Sequence, residues 1–197
     1  MTDRETLIRE ILDRELEMFL AVPSRYPTTC QSNPEGFRKT RSAQFFVWTE
    51  EALASYLGDL RAAGEQGKNL MTLKYARMEN LIPSLHEDPL VANLIDQIVA
   101  VQLEWQRELY SRFPNLMGRG RPLDDPEDPA GATSFATYLR GELETYSENT
   151  LACLFRDTMA ARSREENLAE AIYLQMVRSL GYRSIEDAEA RIGEGRA

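Results

Sequence analysis

Residues 48–82 read WTEEALASYLGDLRAAGEQGKNLMTLKYARMENLI, and residues 146–180 read YSENTLACLFRDTMAARSREENLAEAIYLQMVRSL. The two stretches align without a gap. They share Glu50/Glu148, Leu53/Leu151, Ala54/Ala152, Asp59/Asp157, Ala62/Ala160, Ala63/Ala161, Asn69/Asn167, Leu70/Leu168, Tyr75/Tyr173 and Met78/Met176, ten identities in 35 positions. Unrelated helices rich in Ala, Leu and Glu would share about three. Residues 7–19 match 94–106 at five further positions: Leu7/Leu94, Ile8/Ile95, Ile11/Ile98, Leu16/Leu103 and Glu17/Glu104. The offset changes from 87 to 98 between the two blocks, so the second copy carries 11 extra residues in one loop. Two repeats are too few for a solenoid.

Apolar residues recur at helical spacing through 7–22, 53–63, 70–82, 90–113, 135–146, 151–161 and 168–180, with a further helix expected over 34–48. No alternating strand pattern competes, and Pro and Gly fall mostly between these segments. The expected fold is therefore all-α. It is a single helical-bundle domain over 1–197, built from two pseudo-symmetric halves of three to four helices, 7–82 and 94–180, joined by a linker at 83–89. Thr49, Ser147, Asn69 and Asn167 each stand where an N-cap belongs, and Asn167 with Glu170 has the spacing of a capping box. Trp48 and Tyr146 precede their caps, so each can staple onto Leu53 or Leu151. These repeated identities need no functional explanation.

Composition narrows the function more by exclusion than by indication. The 197 residues contain 32 acidic and 23 basic side chains, for a net charge of −9. That field repels phosphate backbones and anionic lipid, which argues against nucleic acid and membrane partners. No apolar run reaches the roughly 20 residues of a membrane span, and the charged N-terminus does not resemble a signal peptide. A bacterial-type cytoplasmic setting with reduced thiols is expected. Cys30 and Cys153 cannot make a disulfide framework, and Cys153 lies on a core-like face. The one histidine, His86, sits in the linker beside Glu87 and Asp88 and reads as exposed. Phosphate-binding loops, dinucleotide fingerprints and nucleophile elbows are missing, and no cofactor or metal is called for.

The chemistry-bearing signal is a set of polar residues inside apolar stripes. At 100° per residue, Glu15 falls at the centre of the Ile8, Ile11, Leu12, Met18, Phe19 face. Glu142 does the same among Phe135, Tyr138, Leu139, Leu143 and Tyr146. Arg41 and Gln44 point with Phe37, Phe45 and Trp48. Arg77 lies with Leu70, Leu73 and Leu81, and Gln102 and Gln175 occupy matching positions in the second half. Glu17 and Glu104 fall opposite their stripes. Buried charges cost several kcal/mol each unless paired, so the inward set should form a network.

Two long loops, 22–36 and 114–134, stand out, and the second adds candidates. Residues 114–134 hold the length excess, and Arg119-Gly-Arg121 there could clamp an anion, although an Arg pair on a surface loop is more often simply solvated. The acidic run at 124–128 does not match a calcium loop.

The segments CQSNPEGFRKTRSAQF (30–45), GKNLMTLKYARMEN (67–80), GRGRP (118–122) and TSFATYLRGELETYSENTL (133–151) resemble a bacterial family. It is the domain-of-unknown-function family numbered 4125, and the likeness extends over nearly the whole chain. The resemblance implies a small, helical, intracellular protein and brings no activity, cofactor or catalytic residue with it. It draws attention to Arg41, Gln44, Tyr75, Arg77, Arg119, Arg121, Tyr138, Arg140 and Glu142.

Two functional readings stay open. In one, the inward residues line a site for a small anionic ligand, with Glu142 or Glu15 as acid/base and Arg41, Gln44, Arg77, Gln102, Arg119, Arg121 and Tyr138 as binding groups. A carboxyl such as Glu142 among aromatics would then have a raised pKa. In the other, the buried charges are a structural lattice, and the protein is a non-catalytic helical adaptor for a protein partner. A carboxylate-only Mg²⁺ or Mn²⁺ site lacks a ligand pattern. Whether the protein is an enzyme stays undecided at this stage.

Overall fold

The computed structural model describes residues 3–23, 31–124 and 133–195, and among them it contains ten α-helices and no strand. They are α1 (Asp3–Leu20), α2 (Pro34–Phe45), α3 (Glu50–Glu65), α4 (Leu70–Met78), α5 (Pro89–Arg112), α6 (Pro114–Met117), α7 (Phe135–Leu143), α8 (Glu148–Ser163), α9 (Leu168–Ser179) and α10 (Ile185–Gly193). Side-chain caps fix their starts. Asn33, Thr49, Asn69, Ser134, Ser147, Asn167 and Ser184 each accept the backbone N–H three residues on. The capping box at Asn167 is half-formed, because the Glu170 carboxylate turns to Arg112 at 2.8 and 2.9 Å instead.

The helices interleave across the chain. α1 packs on α3 as α5 packs on α8, and α3 meets α8 directly. α2 does not settle only on its sequence neighbours: it packs on α9, and α7 correspondingly packs on α4. Residues matched in the sequence alignment make matched contacts. Asn69 donates to the Met18 carbonyl at 2.8 Å, and Asn167 donates to the Trp105 carbonyl at 3.2 Å. The Thr49 hydroxyl donates to Asp157 at 2.6 Å, while the Ser147 N–H donates to Asp59 at 3.0 Å.

Two apolar clusters result. The larger gathers Ile11, Phe45, Trp48, Leu53, Tyr56, Leu60, Ile95, Leu143, Tyr146 and Leu151 with their neighbours, from α1, α2, α3, α4, α5, α7, α8 and the turns beside them. The smaller lies under the C-terminal half of α5, where Trp105, Leu109, Phe113, Met117, Val177 and Ile185 meet. Two of its helices were not expected. Residues 114–117, read as loop, form one short turn of helix. α10 lay outside the expected repeat because its inward face holds only Ile185, Ala188 and Ile192, a thin stripe in an otherwise charged segment. Glu17 and Glu104 are exposed, as their angular positions require.

Candidate functional site

A buried ionic network stands where α1, α2, α3, α4 and α7 converge. Arg41 on α2 is its hub. Its Nε and Nη2 donate to Glu15 Oε2 and Oε1 at 2.8 and 2.5 Å, a two-pronged pairing with a carboxylate from α1. Its Nη1 donates to Glu142 Oε1 at 2.7 Å and to Gln44 Oε1 at 2.6 Å. Lys74 on α4 donates to the other Glu142 oxygen at 2.6 Å. The Tyr56 hydroxyl donates to Glu15 at 2.6 Å, the Tyr146 hydroxyl donates to Glu142 at 2.6 Å, and Gln44 Nε2 reaches Glu142 at 3.3 Å. Two carboxylates thus face two cations, and Glu15, Arg41, Lys74 and Glu142 are all buried.

Aromatic rings wall this network off. Phe45, Trp48, Tyr56 and Tyr146 pack edge-on or tilted at centroid distances of 4.7 to 6.0 Å, and the Arg41 guanidinium lies 4.8 Å from the Phe45 centroid. Among the described residues every buried side-chain N and O atom has a hydrogen-bond partner. That completeness offsets the cost of desolvating four charges.

The electrostatics run opposite to the expectation for an acid catalyst. Burial alone would push the Glu142 carboxyl up, but the Arg41 and Lys74 charges, with hydrogen bonds from Lys74 and Tyr146, hold it well below the ordinary carboxylate range. The expected raised pKa is therefore corrected: the aromatic walls are there, but two cations lie inside them. Desolvation opposes the charge on Lys74 and Arg41 too, and the facing carboxylates outweigh it, raising both. The Tyr56 and Tyr146 phenols are pushed well up, by burial first and then by the neighbouring carboxylates, so they remain donors.

Of the residues singled out in the sequence, Glu15, Arg41, Gln44 and Glu142 come together here. Arg77 does not join them. It lies nearer the surface, where its Nε and Nη2 pair with Glu144 at 2.5 and 3.0 Å and its Nη1 donates to the Ile82 carbonyl at 2.7 Å. Gln102 is only half-buried on α5 and contributes no hydrogen bond to the network. Tyr138 sits at the outer edge, its ring centroid 3.6 Å from Lys74 Nζ and 4.5 Å from the exposed Arg121 guanidinium. Arg119 is exposed, and Arg140 makes a surface pair with Asp96 at 2.6 Å. His86 is half-buried rather than exposed, with its Nε2 3.0 Å from the Tyr146 carbonyl. Cys153 is buried. Cys30 and most of the acidic run, 125–128, lie outside the described residues.

Sequence reasoning missed Lys74, Tyr56 and the hydroxyl of Tyr146. Lys74 was legible: it stands four residues after Leu70 and three after Met71, the two apolar residues that α4 buries.

Two surface grooves lie away from the network. One, of about 610 Å³, runs beside α1 and the end of α3 past Arg14, Arg61, Gly64 and Lys68. The other, of about 350 Å³, lies between α2 and α9. Among the described residues no group of three or more His, Cys, Asp or Glu side chains is arranged to hold a metal ion, and no helix is long and apolar enough to cross a membrane.

An all-α chain with a closed, charge-balanced ionic centre is thus defined. The family model described as "Protein of unknown function (DUF4125)" matches residues 5–190 of the 197, and the chain belongs to that family. Neither the curated proteins nor the solved structures contain a match to it.

Proposed function

We propose that this protein is a non-catalytic helical interaction module, built from two related halves in one domain, whose buried charges hold the halves in register. The observation that carries this reading is the closure of the ionic centre. Every carboxylate oxygen of Glu15 and Glu142 already accepts a hydrogen bond from within the chain, and neither groove reaches them. A substrate would need to break a satisfied pairing before it met a reactive group, and Glu142 is held ionised rather than poised to give a proton. Recognition then belongs to the surface, with a protein as partner in a bacterial cytoplasmic setting. The acidic charge argues against nucleic acid and anionic membranes as alternatives.

One feature favours a second reading. Arg121 and Lys74 both lie against the Tyr138 ring, so cationic groups extend from the surface to the network's edge. A small anion could be held there by Arg121, with Arg119 nearby in sequence.

Native mass spectrometry of gently purified protein separates the two. A second polypeptide at fixed stoichiometry supports the interaction module. A small-molecule mass that disappears in Arg121→Ala or Lys74→Met overturns it in favour of the anion site.

A further inference from the structure

We propose that the groove between α2 and α9 is the docking site for an extended, acidic segment of a partner protein. The proposal rests on the interaction-module reading and specifies its partner surface. The chain itself shows how such a segment sits, because the junction of α4 with α7 is built like that of α2 with α9 and is already covered.

At the α4/α7 junction the linker lies across the helices. Arg77 donates to the Ile82 carbonyl at 2.7 Å, Glu144 accepts the Leu85 N–H at 3.3 Å, and the His86 ring meets the Tyr146 carbonyl at 3.0 Å. An Arg–Glu pair thus grips the backbone of the non-helical linker through one carbonyl and one N–H.

At the α2/α9 junction the aligned positions are Gln175 in place of Arg77 and Phe46 in place of Glu144. There the chain does not double back. After α9 it turns through Gly181, at φ +91°, into α10, which packs against α6 and the end of α9. The groove of about 350 Å³ stays open, with Leu12, Ala43, Phe46 and Gln175 in its lining. Phe46 is 51% exposed, in contrast with the nearly buried Glu144 at the aligned position. Among the described residues nothing hydrogen-bonds the Gln175 amide, which carries both a donor and an acceptor for a passing backbone.

Charge selects the occupant. Arg38 and Lys39 line the groove where Ala136 and Thr137 stand at the covered junction. Their existing partners, Asp13 and Glu35, are exposed surface pairs that constrain them little. On a chain of net charge −9 this is a local basic rim. The linker at the covered junction supplies a segment of this composition, although its Leu81 and Leu85 are exposed there rather than packed on the helices. Residues 79–88, ENLIPSLHED, combine Glu79, Glu87 and Asp88 with Leu81, Ile82 and Leu85, and Pro83 disfavours helix in the residue before it. A partner segment of that kind would place an apolar side chain on Phe46, backbone groups on Gln175 and acids on Arg38 and Lys39.

The probe is therefore a fluorescent ENLIPSLHED peptide titrated against the whole protein by anisotropy. Saturable binding is expected, weakened about tenfold by Phe46→Glu and reduced by raised salt. Lys68→Glu, in the other groove, should leave it unchanged. Phe46 is exposed, so the variant should melt like the parent. The proposal is overturned if no saturable binding is seen. It is equally overturned if Lys68→Glu rather than Phe46→Glu weakens binding, or if only Arg77→Ala does so, since the peptide would then be replacing the native linker. A co-purifying partner that Phe46→Glu still retains would remove this docking site while leaving the interaction-module reading in place.

Discussion

Arg41 and Glu142 stand 101 residues apart in the chain and meet at 2.7 Å in the interior, with side-chain exposures of 5% and 3%. One belongs to α2 and the other to α7, so the pair, with the Gln44–Glu142 hydrogen bond beside it, fixes the register of the two helices. Removing either partner strands a charge.

Replacing Arg41 with Met should therefore destabilise the protein by about 3–5 kcal/mol, since Glu15 and Glu142 would be left buried without their shared cation. Lys74→Met should cost a comparable amount, and Arg77→Met less, because the Arg77 side chain is 15% exposed and the pair it leaves lies nearer the surface. Urea denaturation midpoints on the three variants check the ranking. A quadruple replacement of Glu15, Arg41, Lys74 and Glu142 by apolar residues should recover much of the loss, as the desolvation cost disappears with all four charges.

Acid should act through Glu142. In the unfolded chain its carboxyl takes up a proton near 4.5, whereas in the fold it resists protonation far below that value. The unfolded state then binds more protons across the acid range, so stability is complete above about 4.5 and falls as pH drops further. In Glu142→Gln this acid-dependent slope should be shallower. Thermal melts between neutral pH and pH 3 compare the two directly.

The tyrosines set an alkaline limit of opposite sign. Burial pushes the phenols of Tyr56, Tyr146 and Tyr173 above their usual 10.0, and nearby carboxylates push the first two further. The fold holds these protons when the unfolded chain has released them, so stability is complete below pH 10 and is lost as pH rises beyond it. Phenolate absorbance should show these three of the eight tyrosines titrating late, together with unfolding.

Two glycine substitutions should move stability in opposite directions. A Cβ at Gly141 would lie 2.7 Å from Met78 Cγ and 3.2 Å from the Lys74 carbonyl, so Gly141→Ala forces α7 off α4 and should cost about 1–3 kcal/mol. Gly58, inside α3, has nothing within 4 Å of such an atom, and Gly58→Ala should stabilise by about 0.4–1 kcal/mol. Calorimetric melting of both variants tests the close approach of the two helices.

Much of this architecture was legible because the apolar periodicity, the caps and the alignment all gave the same boundaries. Glu15 and Glu142 could be placed inside from angle alone, being acids at the centre of apolar stripes. Arg77 was misdirected for a simple reason. The stripe drawn through Leu73 and Leu81 ran past the end of α4 at Met78, and Leu81 is 70% exposed. Taking Leu70 and Met71 as the buried edge would have selected Lys74. The partner of each charge was beyond periodicity altogether, since angle on a helix says which face is inward and not which helix lies opposite. Gln102 shows the same limit: its helix is long, and it serves two clusters with different faces turned in.

The seat of α2 has a consequence for synthesis. A ribosome that has released α2 must still make everything to Leu168 before α9 exists, a delay of roughly ten seconds at about 5–20 residues per second. Until α7 arrives, Arg41 has Glu15 for company but not Glu142. The early product is a set of helices with one flank unfinished, and it is the last-made third of the polypeptide that closes it. A premature stop before α9 would thus release a chain whose second helix still rests on α1 but has lost the surface on its other flank.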